Sequence, residues 1–340
     1  MMTPYEMDIR SAAGCPLPWE QLDGCRILVT GATGLIGGCL VDLLMEVCRQ
    51  RDLRMDVYAM GRNAERAKSR FRACWDHPAF HFVEHDVTRP LAGDTPFHFI
   101  IHAASGASPQ LFRERPVEVM KANLDGVTNL IGYGKNHGMK RFLYVSSGEV
   151  YGKQQRPALG EADYGYVDLL DPRSCYPSSK RAAETLTACF ASEYGVDTVI
   201  ARPCHTFGPY FTDTDLRAYA QFIRNVEAGE DIVLKGDGSQ YRSWCYVVDC
   251  ASAICHILLK GEKAQAYNIA DARCEASLKE VASTIADLGR CGLTVGAPDP
   301  NAGERVIFDT ARLASLGWET SGTLKDKLRH TLETRQQAGK

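Results

Sequence analysis

Residues 26–37 read Arg-Ile-Leu-Val-Thr-Gly-Ala-Thr-Gly-Leu-Ile-Gly, and this stretch decides the fold. Its first five residues form an apolar run that predicts a buried strand. Gly31, Gly34 and Gly37 follow, and apolar residues then recur at helical spacing as far as Val47. Glycines between a strand and a helix let the backbone turn tightly and approach a pyrophosphate at the helix N-terminus. The stretch therefore predicts a dinucleotide-binding loop.

Strands and helices alternate through the first two thirds of the chain. Further strands are predicted over residues 55–59, 80–83, 97–101, 141–145 and 197–201, and helices over residues 64–75, 117–136 and 174–194. This alternation predicts an α/β fold with a doubly wound parallel sheet, a Rossmann fold. We expect an N-terminal extension over residues 1–21 and an NAD-binding Rossmann domain over residues 22–202. Residues 203–335 are then mainly a smaller, substrate-binding lobe.

Composition restricts the class of protein. The 340 residues carry a formal net charge of −3, which gives no indication of nucleic-acid or membrane-surface binding. The 13 cysteines include no Cys-x-x-Cys pair, so we expect free thiols in a reducing compartment and no metal. The first 21 residues do not read as a secretory signal, and no apolar stretch approaches the roughly 20 residues that span a bilayer. We expect a soluble, cytoplasmic protein.

Two residues after the predicted second and third strands bear on the cofactor. An acidic residue at the end of the second strand would bind the ribose hydroxyls of NAD, but this chain has Arg62 there. Arg62 is either a ligand for the 2′-phosphate of NADP or a solvated arginine, so NADP stays open beside NAD. Asp86 is either an acceptor for the adenine amino group or a turn residue.

Three side chains form a candidate catalytic set. Tyr176 and Lys180 are four residues apart, so on a helix they share one face. A nearby ammonium and the charge of a nicotinamide are expected to lower the phenol pKa, which suits a base that removes a hydroxyl proton as hydride leaves. Ser147 follows the strand that ends at Val145, where it is able to hydrogen-bond the same substrate oxygen.

With these motifs in place, the chain resembles the extended short-chain dehydrogenase/reductase family of nucleotide-sugar epimerases and dehydratases. The resemblance runs from about residue 25 to residue 318. Its landmarks, in the order of the family, are residues 30–37, 102–105, 145–152, 176–180, 208–209, 236–242, 246–249 and 316–318.

The resemblance implies a tightly bound NAD, a nucleotide-diphosphate sugar as substrate and transient oxidation at C4 of the sugar. The implied cofactor-binding residues are Gly31, Thr33, Gly34, Leu35, Ile36, Gly37, Arg62, Asp86, Val87, Ala103, Ala104, Ser105, Asn123, Tyr176 and Lys180. The implied substrate-binding residues are Ser105, Ser147, Glu149, His205, Arg217 and Arg242. The two arginines fall where the family contacts the diphosphate; the alternative is that they form surface salt bridges. His205 is either a phosphate ligand or proton donor, or a packed loop residue.

Glu149 distinguishes between reactions within the family. The 4,6-dehydratases and the nucleotide-glucuronate decarboxylases resemble this chain in carrying Glu at this place, and the decarboxylases share a segment similar to residues 172–176. The alternative is a structural carboxylate that accepts backbone hydrogen bonds. Gly148 departs from both subclasses, because the dehydratases have an Asp acid there and the decarboxylases a hydroxyl residue.

We therefore predict a lyase outcome, either 4,6-dehydration or decarboxylation, with catalytic residues Ser147, Tyr176, Lys180 and Glu149. A nucleotide-sugar 4-epimerase and an NADP-dependent keto-sugar reductase stay open as alternatives. By analogy with the family we expect a homodimer formed through helices at residues 109–137 and 174–194.

Overall fold

The computed structural model describes residues 2–154, 156–212, 215–298 and 306–338. The strands of this part of the chain are β1 (Arg26–Thr30), β2 (Asp56–Gly61), β3 (Phe80–Glu84), β4 (Phe99–His102), β5 (Arg141–Val145), β6 (Ala158–Leu159), β7 (Thr198–Pro203), β8 (His205–Phe207), β9 (Ile232–Leu234), β10 (Tyr241–Tyr246), β11 (Ala266–Ile269), β12 (Asp271–Ser277), β13 (Leu293–Val295) and β14 (Ile307–Phe308).

The α-helices are α1 (Pro4–Ala13), α2 (Leu35–Arg51), α3 (Ala64–Arg70), α4 (Pro109–Glu114), α5 (Pro116–Asn136), α6 (Cys175–Tyr194), α7 (Ala218–Ala228), α8 (Val247–Lys260), α9 (Leu278–Gly289), α10 (Ala311–Ala314) and α11 (Leu324–Ala338). Short 3-10 helices lie at Trp19–Leu22, Gly148–Tyr151 and Pro172–Ser174.

Seven parallel strands form the large sheet, in the order β11-β7-β5-β4-β1-β2-β3. β1 is buried along most of its length, as its apolar run predicts. Helices cover the sheet, and the predicted Rossmann fold is confirmed. The chain winds outward from β1 to β3 and then returns to β4 on the other side of β1. This reversal makes the carboxyl ends of β1 and β4 the topological switch point, where ligands bind in such sheets.

Each strand and helix predicted from the sequence is present, with bounds that shift by a few residues. The largest difference is in α3, which is predicted over residues 64–75 but ends at Arg70. Asn63 caps its first turn, where the side chain accepts from the backbone N–H of Arg66 at 2.8 Å. Residues 71–76 continue as turns that bury Phe71.

The N-terminal extension packs on the fold through α1. Thr3 and Glu6 form a capping box at the start of this helix, and Tyr5 and Ile9 are buried. The Tyr5 hydroxyl donates to Asp42 of α2 at 2.6 Å, and its backbone N–H donates to Thr334 of α11 at 3.1 Å. α1 therefore contacts both α2 and α11, the last helix of the described chain.

The C-terminal part of the chain contributes to the large sheet as well as to the smaller lobe. β11, at residues 266–269, pairs with β7 and forms one edge of the sheet. Three small sheets form the rest: β12-β10-β8, β13-β9 and β14-β6. Since β8 directly follows β7 in the chain and β10 pairs with it, the smaller lobe lies beside the carboxyl ends of the large sheet.

The 13 cysteines all lie in the described part of the chain and are free thiols. Across the described residues, no helix is both long and apolar enough to cross a membrane. Within the same residues, no group of three or more His, Cys, Asp and Glu side chains is arranged to hold a metal ion.

Candidate active site

The glycine loop after β1 is shaped by contacts that leave no room for side chains. Gly31 has a φ of +66°, and a Cβ built on it would lie 2.7 Å from the carbonyl oxygen of Ala103. A Cβ on Gly37 would lie 2.3 Å from the carbonyl oxygen of Gly31. The loops after β1 and β4 therefore touch at the switch point, and only glycine fits there.

The first turn of α2 offers backbone donors at this loop. Gly34 is the N-cap and supplies no side-chain cap, and its own N–H donates to the carbonyl of Gly31 at 2.9 Å. Leu35 and Ile36 follow in the first turn, and with Thr33 they are half-buried. The first N–H groups of a helix have no partner within the helix, and together with the helix dipole they favour an anion. The predicted phosphate-binding loop thus has the required geometry.

The residues after β2 and β3 lie beside one another. Asp86 accepts from the backbone N–H of Thr88 at 3.0 Å and from its hydroxyl at 2.9 Å, so one carboxylate oxygen acts as a turn cap. Burial alone would raise the pKa of Asp86, but these hydrogen bonds and Arg62 lower it. The exposed Arg62 guanidinium lies 3.9 Å from the other oxygen. Val87 is buried next to this turn.

The loop after β4 brings a buried hydroxyl to the switch point. Ala104 donates its N–H to the Thr30 hydroxyl at 3.3 Å, which fixes this loop to the end of β1. The Ser105 hydroxyl is buried and has no hydrogen-bond partner within the described residues. A buried hydroxyl without a partner is costly, so Ser105 is suited to a ligand.

Asn123, predicted to contact the cofactor, lies inside the protein between α5 and α6. Its amide nitrogen donates to the Ser179 hydroxyl at 2.9 Å and to the Val119 carbonyl at 3.1 Å. Its amide oxygen accepts from the Tyr144 hydroxyl at 3.2 Å. These contacts engage both hydrogens of the amide nitrogen and one lone pair of the amide oxygen. Its direct contact stays a prediction.

Tyr176 and Lys180 lie on one face of α6, as their spacing predicts. The Lys180 ammonium donates to the Val145 carbonyl at 2.8 Å and lies 5.7 Å from the centre of the Tyr176 ring. The ring of Phe112 stacks on Tyr176 with 4.7 Å between ring centres. Ser147 follows β5 on the same side, is half-buried, and accepts from the backbone N–H of Glu149 at 3.2 Å. The structure therefore brings Ser147, Tyr176 and Lys180, three of the four predicted catalytic residues, together.

The pKa of Tyr176 differs from the sequence-based expectation. Burial raises it to about 12, and the Glu149 carboxylate acts in the same direction. Hydrogen bonding with Ser147 and the charges of Arg217 and Arg173 lower this pKa, but by less than burial and Glu149 raise it. Burial also lowers the pKa of Lys180 to about 7, so its ammonium is only partly charged at neutral pH. The expectation that Lys180 lowers the phenol pKa is not met in the protein alone.

Glu149 forms an ion pair that the sequence analysis did not predict. Both carboxylate oxygens lie 3.1 Å from Nη2 of Arg173, and both side chains are a little over 40% exposed. The Arg173 guanidinium also lies over the ring of Phe112, 4.6 Å from its centre. Since Phe112 stacks on Tyr176, Arg173 and Glu149 flank this predicted catalytic tyrosine. Arg173 belongs to the segment at residues 172–176 that resembles the decarboxylases. This resemblance is the feature of the sequence that could have pointed to Arg173 as a site residue.

Arg217 is held by the protein's own groups. Its Nη2 lies 2.6 Å from Asp215, and its Nη1 donates to the carbonyl of Thr206 at 3.0 Å. This is the ion pair that the alternative interpretation describes, although it lies near Tyr176, whose pKa Arg217 lowers. The contact of Arg217 with a diphosphate stays a prediction.

Arg242 and His205 form a pair at the edge of β10 and β8. Arg242 Nη1 donates to His205 Nε2 at 3.0 Å, and Nη2 donates to Gln240 at 3.0 Å. The ring of His205 keeps an exposed edge, yet its dense surroundings and the charges of Arg242 and Arg217 lower its pKa to about 3. Because the arginine can only donate, Nε2 accepts in this pair and carries no proton of its own. The roles of His205 and Arg242 at a phosphate or diphosphate stay predictions.

These residues fit a bound dinucleotide. The glycine cradle at residues 31–37, the uncapped start of α2 and the unpartnered Ser105 hydroxyl are all at the switch point. Tyr176 and Lys180 extend the site toward the smaller lobe. A Rossmann sheet with this loop and an adjacent Ser–Tyr–Lys set defines an enzyme of the extended short-chain dehydrogenase/reductase class.

The chain belongs to the NAD dependent epimerase/dehydratase family, whose pattern matches residues 27–270. It is similar to UDP-glucuronic acid decarboxylase 6 of Arabidopsis thaliana, with 33% identity over 307 residues, 89% of this chain and 86% of that protein. It is also similar to UDP-glucuronic acid decarboxylase 1 of Xenopus tropicalis, with 31% identity over 317 residues, 92% of this chain and 72% of that protein. The chain is thus an NAD-dependent enzyme.

Solved structures share the fold. A dTDP-glucose 4,6-dehydratase from Streptomyces venezuelae has a TM-score of 0.80 at 22% identity, covering 92% of this chain and 97% of that one. A UDP-glucose 4-epimerase from Thermotoga maritima has a TM-score of 0.79 at 21% identity, covering 93% and 100%. At these identities the likeness extends to the architecture and not to the reaction.

Proposed function

We propose that the protein removes the C6 carboxylate of a nucleoside-diphosphate hexuronate as CO₂, with UDP-glucuronate as the substrate. The observation that carries this proposal is the Glu149–Arg173 pair beside Tyr176, with contacts of 3.1 Å. A guanidinium at this place suits a substrate carboxylate, since it binds carboxylates in a bidentate manner. The relatives named as UDP-glucuronic acid decarboxylases support the same reaction.

The residues of the site divide the work around C4 and C5 of the sugar. Bound NAD supplies the acceptor and later the donor of hydride at C4. Tyr176 takes the proton of the C4 hydroxyl, and Ser147 holds the C4 oxygen. Lys180, 5.7 Å from the tyrosine ring, orients the nicotinamide ribose and favours the tyrosinate when it is charged.

A ketone at C4 makes the carboxylate at C6 labile. The C5–C6 bond breaks, its electron pair moves onto the C4 oxygen, CO₂ leaves, and C5 takes up a proton. Arg173 holds the substrate carboxylate before this step, in exchange for Glu149. Glu149 is then free to direct proton transfer at C5.

The substrate contacts and the assembly extend this proposal. Arg242, oriented by His205, and Arg217 contact the diphosphate, and Gly31 to Gly37 with Ser105 hold NAD.

We propose a cytoplasmic homodimer formed through α5 and α6, whose exposed apolar side chains include Val117 and Tyr194. Light scattering after size-exclusion chromatography gives the mass in solution; a monomeric mass contradicts the dimer.

The test is incubation with UDP-glucuronate, UDP-glucose and dTDP-glucose in turn, followed by mass spectrometry of the products. We expect loss of CO₂ from UDP-glucuronate, and no such loss with Glu149→Gln. Glu193→Gln, an exposed carboxylate at the far end of α6, is the matched control and keeps parent activity.

Other outcomes identify the alternatives. Loss of water from a hexose makes the protein a dehydratase, and conversion without change of mass makes it an epimerase. Turnover of a keto sugar only when NADPH is added makes it a reductase. Each of these results contradicts the decarboxylase proposal.

A further inference from the structure

Gly148 stands between Ser147 and Glu149, and an aromatic ring fills the space that its side chain would take. A Cβ built on Gly148 would lie 2.1 Å from Cζ and 2.6 Å from Cε2 of Phe308. Real Cβ atoms do not approach so closely, so a residue larger than glycine fits only if the ring moves. The sequence analysis identified Gly148 as a departure from the family, and the structure shows that Phe308 fills the place.

The ring of Phe308 is fixed by the smaller lobe. Phe308 lies on β14, which pairs with β6, and its N–H donates to the Ser243 hydroxyl at 3.0 Å. Its ring meets the ring of Tyr151 edge-on at 5.4 Å and packs on the buried cluster of Val150, Tyr151 and Leu159. A ring held by the backbone and by packing cannot turn aside cheaply.

This contact lies next to the predicted substrate-binding residues. Ser147, Gly148 and Phe308 all keep part of their surface exposed, and Glu149 is exposed. Ser243, which accepts from the Phe308 backbone, directly follows Arg242 of the predicted diphosphate site. Phe308 therefore contacts both Ser243, the neighbour of that arginine, and Gly148, the neighbour of Ser147.

We propose that Phe308 is a specificity-determining residue: with Gly148 it forms an apolar wall against the C5–C6 end of the sugar that favours loss of a C6 carboxylate as CO₂ over loss of a C6 hydroxyl as water. This proposal rests on the proposed decarboxylation. Loss of a C6 hydroxyl removes a proton from C5 and needs a second proton for the leaving oxygen. Neither glycine nor phenylalanine has a proton to give.

Loss of CO₂ makes no such demand at C6. The carboxylate leaves as a neutral molecule, and only C5 takes up a proton. An apolar surface disfavours the charged carboxylate more than neutral CO₂, so it favours the step that discharges the group. The wall therefore suits decarboxylation and disfavours dehydration.

The test enlarges the side chain at position 148 and shrinks the one at position 308, with the variants Gly148→Ser, Phe308→Ala and the double variant. Thermal unfolding and kcat/KM are measured for each, for UDP-glucuronate and UDP-glucose and with UDP-glucose also as a competitive inhibitor. Phe190→Ala, a half-buried phenylalanine of α6 outside the cleft, is the matched control and keeps the parent's selectivity.

We expect Gly148→Ser to lose at least about tenfold in kcat/KM and to unfold at a lower temperature, because the new side chain strikes the ring. Phe308→Ala is expected to bind UDP-glucuronate about tenfold or more tightly relative to UDP-glucose and to release CO₂ more slowly, because the surface that disfavours the charged carboxylate has been removed. Adding Phe308→Ala to Gly148→Ser restores both activity and unfolding temperature toward those of Phe308→Ala alone.

Two results overturn the proposal. Independent, additive effects of the two substitutions show that the ring does not fill the place of the side chain. Unchanged selectivity in Phe308→Ala shows that the ring does not face the sugar. If the parent does not release CO₂ from UDP-glucuronate, the decarboxylase proposal fails by itself, while coupling in the unfolding temperatures still reports on the Gly148–Phe308 contact.

Discussion

Two buried lysines, Lys180 near Tyr176 and Lys327 under the smaller lobe, have very different surroundings. Lys180 lies in α6 beside Tyr176, the proposed catalytic tyrosine, and is 2% exposed; Lys327 lies in α11 under the smaller lobe and is 4% exposed. Lys327 contacts Asp249 of α8 at 2.6 Å and also bonds Asp271 of β12. Lys180 donates to a backbone carbonyl, and the ring of Tyr144 lies 4.6 Å from its ammonium.

Their pKa values move in opposite directions. Burial lowers the pKa of Lys180 to about 7, and the more distant Glu184 only partly opposes this. Burial acts in the same direction on Lys327, but Asp249 and Asp271 outweigh it and raise its pKa. A buried charge with partners supports the fold, whereas one without partners weakens it and is maintained for function.

The largest expected effect is on catalysis at Lys180. Lys180→Met and Tyr176→Phe should each lower turnover about 100- to 10,000-fold, the range for loss of acid–base catalysis. Nucleotide-sugar binding should remain nearly intact, as measured by calorimetry. The unfolding free energy of Lys180→Met should stay within about 1 kcal/mol of the parent's or rise, because a desolvated cation has been removed. Turnover at the parent's rate in either variant contradicts the assigned mechanism.

Lys327→Met should lower the stability of the fold and leave turnover unchanged. It leaves two buried carboxylates without their cation, which costs about 3–5 kcal/mol of unfolding free energy in denaturant titrations. Protein that remains folded should keep the parent's turnover. Lys325→Met, on the exposed side of the same helix, is the control and should be neutral. A loss below about 1 kcal/mol would show that the ion cluster is not a structural element.

The pH dependence of stability separates the two lysines further. An unfolded lysine keeps its proton up to about pH 10.5, whereas folded Lys180 releases it near pH 7. Between these values the unfolded state binds more protons, so the parent gains stability over Lys180→Met by about 1.4 kcal/mol per pH unit. Lys327 itself should contribute no such slope between pH 7 and 10, since its raised folded pKa keeps it charged there. Parallel curves of unfolding free energy against pH for the parent and Lys180→Met would contradict this prediction.

The smallest expected effect is at the exposed ion pair of Glu149 and Arg173. Both side chains reach solvent, so Glu149→Gln should change the unfolding free energy by no more than about 1 kcal/mol. Because the same substitution is expected to stop product formation, it separates function from stability at one position. A stability loss as large as that of Lys327→Met would instead make Glu149 a structural carboxylate.

The fold was predictable because its signal is local. The apolar run of β1, the three glycines and the alternation of strands and helices are each contained in a few neighbouring residues. The positions of Tyr176 and Lys180 were predictable for the same reason, since four residues on a helix give one face.

What the sequence did not reveal depends on contacts between distant parts of the chain. The pKa of Tyr176 follows from burial under Phe112 and from Glu149 nearby, not from Lys180 four residues away. The pKa of His205 is lowered first by burial of the ring and then by the charges of Arg242 and Arg217, which lie on other elements. Phe308 lies on a strand 160 residues beyond Gly148, and only the folded backbone brings the two together.

The most direct test of the central claim is release of CO₂ from UDP-glucuronate labelled at C6, measured side by side for the parent and Tyr176→Phe with NAD present. The account predicts labelled CO₂ from the parent and none above background from the variant, with both proteins folded and binding the nucleotide sugar. No CO₂ from a folded, NAD-loaded parent would contradict decarboxylation, and equal release from both proteins would contradict the role of Tyr176.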